Sequence, residues 1–177
     1  YVPFWRFFFH LLGYDVVVSP QGSGLVKKGK ELTGAEFCAP ISNWHGHVHY
    51  LSTRTDYCFL PHMISEDPKN IDKFYCYYSN YAASLVRNVE SLDLDGRAIS
   101  PIINFSDSIV ENVRQLYENL PDDLKILHTP NEIREAFAQA WSWYAQRKQK
   151  LIELFKHQSE SDQDISVVLL GRPYIVF

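Results

Sequence analysis

An α/β fold, with a mainly parallel sheet and helices on both faces, is the expectation for this chain. Two observations lead to it. Short apolar runs alternate with helical patterns along the sequence. The runs are continuously apolar, as in strands buried on both faces.

Residues 3–12, PFWRFFFHLL, carry an aromatic-rich helical pattern that Gly13 ends. YDVVVS at 14–19 is the first expected strand. PQGSG at 20–24 is loop, and LVKKGKEL after it is a short helix or turn. Pro40 suits a first helical turn, because its missing N–H is not needed there, and it opens a helix to about Thr53. DYCFLP at 56–61 is the second strand. HMISEDPKN is loop, FYCYY a short strand or turn, and SNYAASLVRNVESL a helix. AISPIINF at 98–105 is a further strand. Ser106 or Asp107 is expected to cap a helix reaching about Leu120, stopped by Pro121. KILHT reads as a short strand or a loop. Pro130 opens a long helix with Ile133, Phe137, Trp141, Tyr144, Leu151 and Phe155 on one face. ESDQD is a linker, and ISVVLLG reads as the last strand. Residues 1–160 thus form one α/β domain, and 161–177 a linker and the first strand of a following or swapped element. The chain opens without Met inside a helical pattern and closes on a strand and a turn, as expected of a piece of a longer protein.

A hydrophobic share of 46% and a charged share of 21% are ordinary globular values, and 177 residues bury a real core. The net charge of −4 gives no electrostatic reason to expect nucleic acid or an anionic membrane. No stretch approaches the ~20 apolar residues of a membrane span. The opening lacks the basic leader and small-residue cleavage site of a signal peptide. Cys38, Cys58 and Cys76 are an odd count without a secretory signal, which favours reduced thiols and a cytoplasmic location.

The chemistry-bearing residues are few. FCAPISNWHGHVHYL (37–51) holds Cys38 and three alternating histidines. His45 and His49 share a helix face, a half-site for zinc that Cys38 could extend. The zinc-protease pattern needs Glu after the first His, and Gly46 stands there instead. His45 and His47 remain candidates for binding substrate or moving a proton near neutral pH. Cys38 sits where a helix begins, and the free N–H groups and positive dipole end there favour a thiolate. Cys58, inside a buried strand, reads as core. No C-x-x-C run is present, so an iron–sulfur site would need ligands from scattered positions. In parallel sheets ligands sit beyond the carboxyl ends of the strands, which brings in the loops at Gln21–Gly24, Pro61–His62 and Gly171–Tyr174. SPQGSG lacks the spacing of a dinucleotide or Walker loop.

Five patches taken in order resemble a known family: P-F-W-x-x-F-F-x-x-L-G-Y-x-V-V-x-S (3–19), E-x-C-x-P-x-x-x-x-H-G-H-V (36–48), D-Y-x-F-L-P (56–61), a lone Cys at 76, and G-R-P-Y (171–174). They look like the domain of CoA-substrate-specific enzyme activases, relatives of the components of 2-hydroxyacyl-CoA dehydratases such as 2-hydroxyglutaryl-CoA dehydratase. The resemblance implies a Rossmann-like domain. It implies a [4Fe–4S] cluster held by cysteines from separate loops near an acyl-CoA, and low-potential electron transfer of the kind found in anaerobic metabolism. An ATP-hydrolysing activator domain, in the same or another chain, would be the partner. Its phosphate-binding motifs do not occur here, so no ATP site is expected. Position by position, Cys38 and Cys76 become candidate cluster ligands, with a third ligand from elsewhere. His45, His47 and His62 become candidates for contacting substrate or supporting the ligands. The sequence departs from the family pattern in three places: Ile41, Ser42 and Asn43 follow Pro40 where a basic residue is expected shortly after the motif, Tyr77 follows Cys76 where Pro is common, and Ile175 follows G-R-P-Y where His is usual. The competing expectation is a non-catalytic interaction domain on the same scaffold, with Trp141, Trp143 and Tyr144 as partner anchors.

Overall fold

The computed structural model describes residues 1–34, 36–65 and 75–159. The expected elements at 160–177, including GRPY, lie outside the described residues. In chain order the elements are α1 (Val2–Leu11), α2 (Ser23–Thr33), α3 (Ala39–Ser52), β1 (Cys58–Phe59), β2 (His62–Met63), α4 (Tyr77–Arg87), a 3₁₀ turn (Glu90–Leu92), β3 (Ala98–Ile99), β4 (Ile102–Ile103), α5 (Ile109–Asn119), α6 (Asp122–Lys125) and α7 (Pro130–Ser159).

The fold is α/β, with short parallel strands. β1 pairs with β3 and β2 with β4, both parallel, Cys58 beside Ala98 and His62 beside Ile102. The two pairings are one ladder with a gap. Leu60 N–H donates to Ile99 O at 2.8 Å, His62 N–H to Pro101 O at 2.9 Å and Ile64 N–H to Ile103 O at 2.9 Å. Pro101 has no N–H to return to strand 58–64, and there the ladder is interrupted. The crossover through α4 makes this a βαβ unit.

Helices cover both faces, because side chains alternate along each strand. Phe59, Met63, Ile99, Ile103 and Phe105 face α1, α5 and α7, in a core containing Phe4, Phe8, Leu116 and Phe137. Cys58, Leu60 and Ala98 face α3 and α4, against Val48, Ala83 and Val86. Arg97 locks the strand entry by donating to the carbonyls of Ser52, Thr55, Asp56 and Asp93.

Several expectations changed on folding. Residues 14–20 form no strand: Val17 and Val18 are exposed, and the run pairs with no neighbour among the described residues. A β-branched run becomes a strand only when a partner takes its backbone. Gly13 does end α1, in a left-handed turn (φ 81°) with Gly13 N–H to His10 O and Tyr14 N–H to Phe9 O. The cap of α5 is Ser108, whose hydroxyl accepts from Glu111 N–H, while Ser106 and Asp107 stay in the loop. KILHT is the end of α6 and a turn. α7 opens on a reciprocal cap, Thr129 with Glu132, that Pro130 had overshadowed. Trp141 and Tyr144, expected as partner anchors, pack on Phe4, and Trp143 packs on Phe7. No helix among the described residues is long and apolar enough to cross a membrane.

Candidate functional site

Connectivity puts two helix starts at one end of the sheet. α4 follows strand 58–64, so it begins at the strand's carboxyl end. α3 precedes that strand by a short turn and runs back antiparallel to it, so α3 also begins at the carboxyl end. The residue before each helix is a cysteine. Cys38 stands before α3 (φ −59°, ψ 151°) and Cys76 before α4 (φ −53°, ψ 136°), and both side chains are exposed. The two positions have the same local structure. Cys38 O accepts from Ile41 and Ser42 N–H, and Cys76 O accepts from Ser79 and Asn80 N–H. Neither side chain caps its helix, and each thiol is left exposed.

Aromatic contacts join the two starts. The Phe37 ring meets Tyr78 at 5.8 Å and His45 at 6.1 Å. Deeper in, Trp44 Nε1–H donates to Ala82 O at 3.3 Å. FYCYY, expected as strand or turn, therefore gives α4 its first turn from Tyr77 onward.

The histidines separate into three roles. His45 is 2% exposed, and its Nδ1–H donates to Ile41 O of its own helix at 2.8 Å. It is a packed core group and not a surface ligand. Gly46 is where α2 crosses α3: a Cβ there would overlap the Leu25 carbonyl, and one on Gly29 would overlap that of Ser42. His47 points the other way, its Nδ1 2.8 Å from Ser19 Oγ. The zinc set of Cys38, His45 and His49 is not formed, and among the described residues no three His, Cys, Asp or Glu side chains are placed to hold a metal ion. His62 Nδ1–H donates to Asn80 O at 2.7 Å and so ties the strand to the first turns of α4, one turn beyond Cys76.

The sequence did not single out Asn80 or Ser100, whose side-chain oxygens are buried without a partner among the described residues. Ser100 lies in the strand position next to Leu60, and Asn80, one turn into α4, accepts from His62 through its carbonyl. Ser65 and Ser106, hydrogen-bonded at 3.2 Å, join the two strands at the same end. Polar residues in strands and loops carry no periodic signal, and only the fold gathers them.

Two pH effects arise here. Burial holds the His47 imidazole below its ordinary value, so the folded state keeps it neutral. Between the lowered value and the unfolded one near 6.5 the unfolded chain binds more protons. Stability is therefore fully present above that range and is lost as pH falls through it. Chemical denaturation between pH 7 and pH 5 is expected to show this loss, and His47→Gln is expected to flatten the curve. Burial also raises the Cys58 thiol, against smaller opposing effects of Thr55 and Arg97. Cys58 is 2% exposed. Timed alkylation with mass spectrometry is expected to label Cys38 and Cys76 in the native chain, and Cys58 at least tenfold more slowly, in step with unfolding.

The donor type suits a thiolate iron cluster, since two exposed thiols lie at helix starts joined by aromatic contacts, but no group of three metal-capable side chains forms among the described residues. In comparison with known proteins, one family model, the CoA enzyme activase uncharacterised domain, matches residues 1–177. No curated protein and no solved structure matches.

Proposed function

This chain belongs to the family of the CoA enzyme activase uncharacterised domain, and from that premise we propose that it is an iron–sulfur-binding domain in which Cys38 and Cys76 are the ligands. The observation that carries the reading is the repeated slot: two exposed cysteines, each standing immediately before an uncapped helix, at the same end of the sheet. On this reading the parallel pair is the centre of a Rossmann-like sheet, and the site lies where such sheets bind their ligands.

A bound [4Fe–4S] cluster supplies a one-electron couple of low potential, which suits dehydration or reduction of an acyl-CoA. The chain's own residues hold and shield it. Cys38 and Cys76, exposed at the two helix starts, would hold the cluster, each losing its thiol proton as iron binds. Phe37 and Tyr78 limit water at the rim. His62 keeps the first turns of α4 in place, and His45 supports the Phe37 ring. His47, held by Ser19, serves the α3 surface away from the thiols. An acyl-CoA substrate and an ATPase activator domain are the partners this reading calls for. The reading places the protein in the cytoplasm.

Elemental analysis of protein purified anaerobically without added metal tests it. Iron with acid-labile sulfide, and the loss of both in Cys38→Ala, is the expected result. Zinc, or a folded protein that holds neither metal after reconstitution with iron and sulfide, would contradict it.

A second reading, a non-catalytic interaction domain, draws on the outer half of α7. There Leu151, Leu154 and Phe155 are exposed at 67%, 59% and 66%. Removing all three apolar groups is expected to abolish partner capture on this reading and to leave iron binding untouched on the first.

A further inference from the structure

We propose that residues 165–177 of this chain, ISVVLLGRPYIVF, cover the apolar outer face of α7. This docking uses neither Cys38 nor Cys76, so it goes beyond the iron-site reading and stands or falls separately from it.

α7 carries an apolar face from Ile133 to Phe155, and among the described residues only its first half is covered. Ile133, Phe137 and Ala140 are buried, and Trp141 and Tyr144 pack against the same core. α1 runs antiparallel to α7, with the Phe8 ring against Phe137, Phe4 against Trp141 and Tyr1 against Tyr144 at 5.6 Å. Cover from α1 therefore ends at Tyr144. Seven residues make close to two helical turns, so Leu151 falls on the face of Tyr144, and Leu154 and Phe155 continue it. All three are exposed. The buried stripe thus runs on in register past the elements that cover it.

Charge and reach select the occupant. Residues 146–159 hold Arg147, Lys148, Lys150 and Lys156 against Glu153 alone. A second copy of α7 laid on this face would set like charges against each other. Residues 160–164, ESDQD, hold Glu160, Asp162 and Asp164 and no cation, which suits the basic flanks of α7. Beyond them Ile165, Val167, Val168, Leu169 and Leu170 supply apolar side chains in an uncharged run. Ser159 is about 12 Å past Leu151 along the helix. Five connecting residues span up to ~17 Å, so residues 165–170 reach Phe155, Leu154 and Leu151. A face and a segment in one chain meet at an effective concentration on the order of millimolar, which a separate partner must match. The segment therefore holds the surface that the interaction reading gives to a partner, and a partner must displace it.

Amide hydrogen exchange read by mass spectrometry on the full 177-residue chain tests this, with light scattering for mass. The amides of 165–170 are expected to exchange at least tenfold more slowly than in an unstructured chain of the same sequence, in a monomer and independently of protein concentration. Leu151→Ser combined with Phe155→Ser is expected to remove this protection while the amides of 133–144 keep theirs. Lys150→Glu combined with Lys156→Glu is expected to weaken the protection at low salt. Exchange of 165–170 at the unstructured rate would overturn the docking. Protection that survives Leu151→Ser with Phe155→Ser would put the segment elsewhere and overturn it as well. Protection that arises only with a doubled mass would make a second copy the occupant and overturn the pairing within one chain.

Discussion

Replacing Phe4 with alanine is expected to lower the stability of the fold by about 4 kcal/mol, the middle of the range for a fully buried Phe. Phe4 is 0% exposed, and its ring meets Trp5, Phe105, Phe137 and Trp141 edge-on at 4.6–5.8 Å. It therefore joins α1 and α7 to the segment just after β4. Close packing on every side leaves little room to collapse, so a cavity remains. Thermal unfolding would read this as a drop of roughly 10 °C, at about 2–4 °C per kcal/mol for a domain of this size. Phe4→Leu keeps most of the volume and should recover about half of the loss. A drop of only a degree or two for Phe4→Ala would mean that α1 is not docked as described.

Gly46→Ala sets two effects against each other. Alanine is favoured over glycine inside a helix by about 1 kcal/mol, so propensity alone predicts stabilisation. The added Cβ would overlap the backbone carbonyl of Leu25, and no side-chain rotation relieves a backbone overlap. α2 and α3 must then separate, and overpacking of this kind costs typically 1–3 kcal/mol or more. Sterics win, and a net loss of about 2 kcal/mol is expected from urea denaturation. Gly29→Ala should behave alike, since its Cβ would overlap the Ser42 carbonyl. Gly24→Ala, in the first turn of α2 with nothing near its Cβ, is the control and should be neutral or slightly stabilising. Stabilisation by Gly46→Ala would contradict the close crossing of the two helices.

These glycines show where the sequence could be read and where it could not. α1, α3, α5 and α7 were visible from apolar spacing, from Pro40 and Pro130 and from Gly13, because each signal acts within a turn or two of the chain. DYCFLP at 56–61 and AISPIINF at 98–105 were visible as apolar runs, but β2 (His62–Met63) lies in a stretch expected as loop, because its pairing is supplied by strand 98–103 and not by its own polar-flanked residues. YDVVVS is richer in β-branched residues than DYCFLP and still forms no strand, since pairing depends on a neighbour that the run itself does not encode. In HGH the sequence put the chemistry on the histidines. Folding instead buries His45, uses Gly46 for a helix crossing and leaves His47 to Ser19, and these assignments depend on α2 and on residue 19, at a distance in the chain. Cys38 was read as a helix-start thiol because Pro40 marks the first turn. Cys76 lacked such a marker, and its matching position before α4 emerged only with the fold. Asn80 and Ser100 carried no signal at all, because a polar residue facing inward looks like any other until its neighbours are known.

The proposed site requires the sulfurs of Cys38 and Cys76 to converge on one rim. Treating the metal-free, monomeric chain with a short bifunctional thiol-alkylating reagent, followed by proteolysis and mass spectrometry, measures this most directly. One intramolecular bridge joining the peptides that contain Cys38 and Cys76 is expected, absent in Cys38→Ser and in Cys76→Ser. Separate single-ended modification of both thiols, with no bridged peptide, would contradict it.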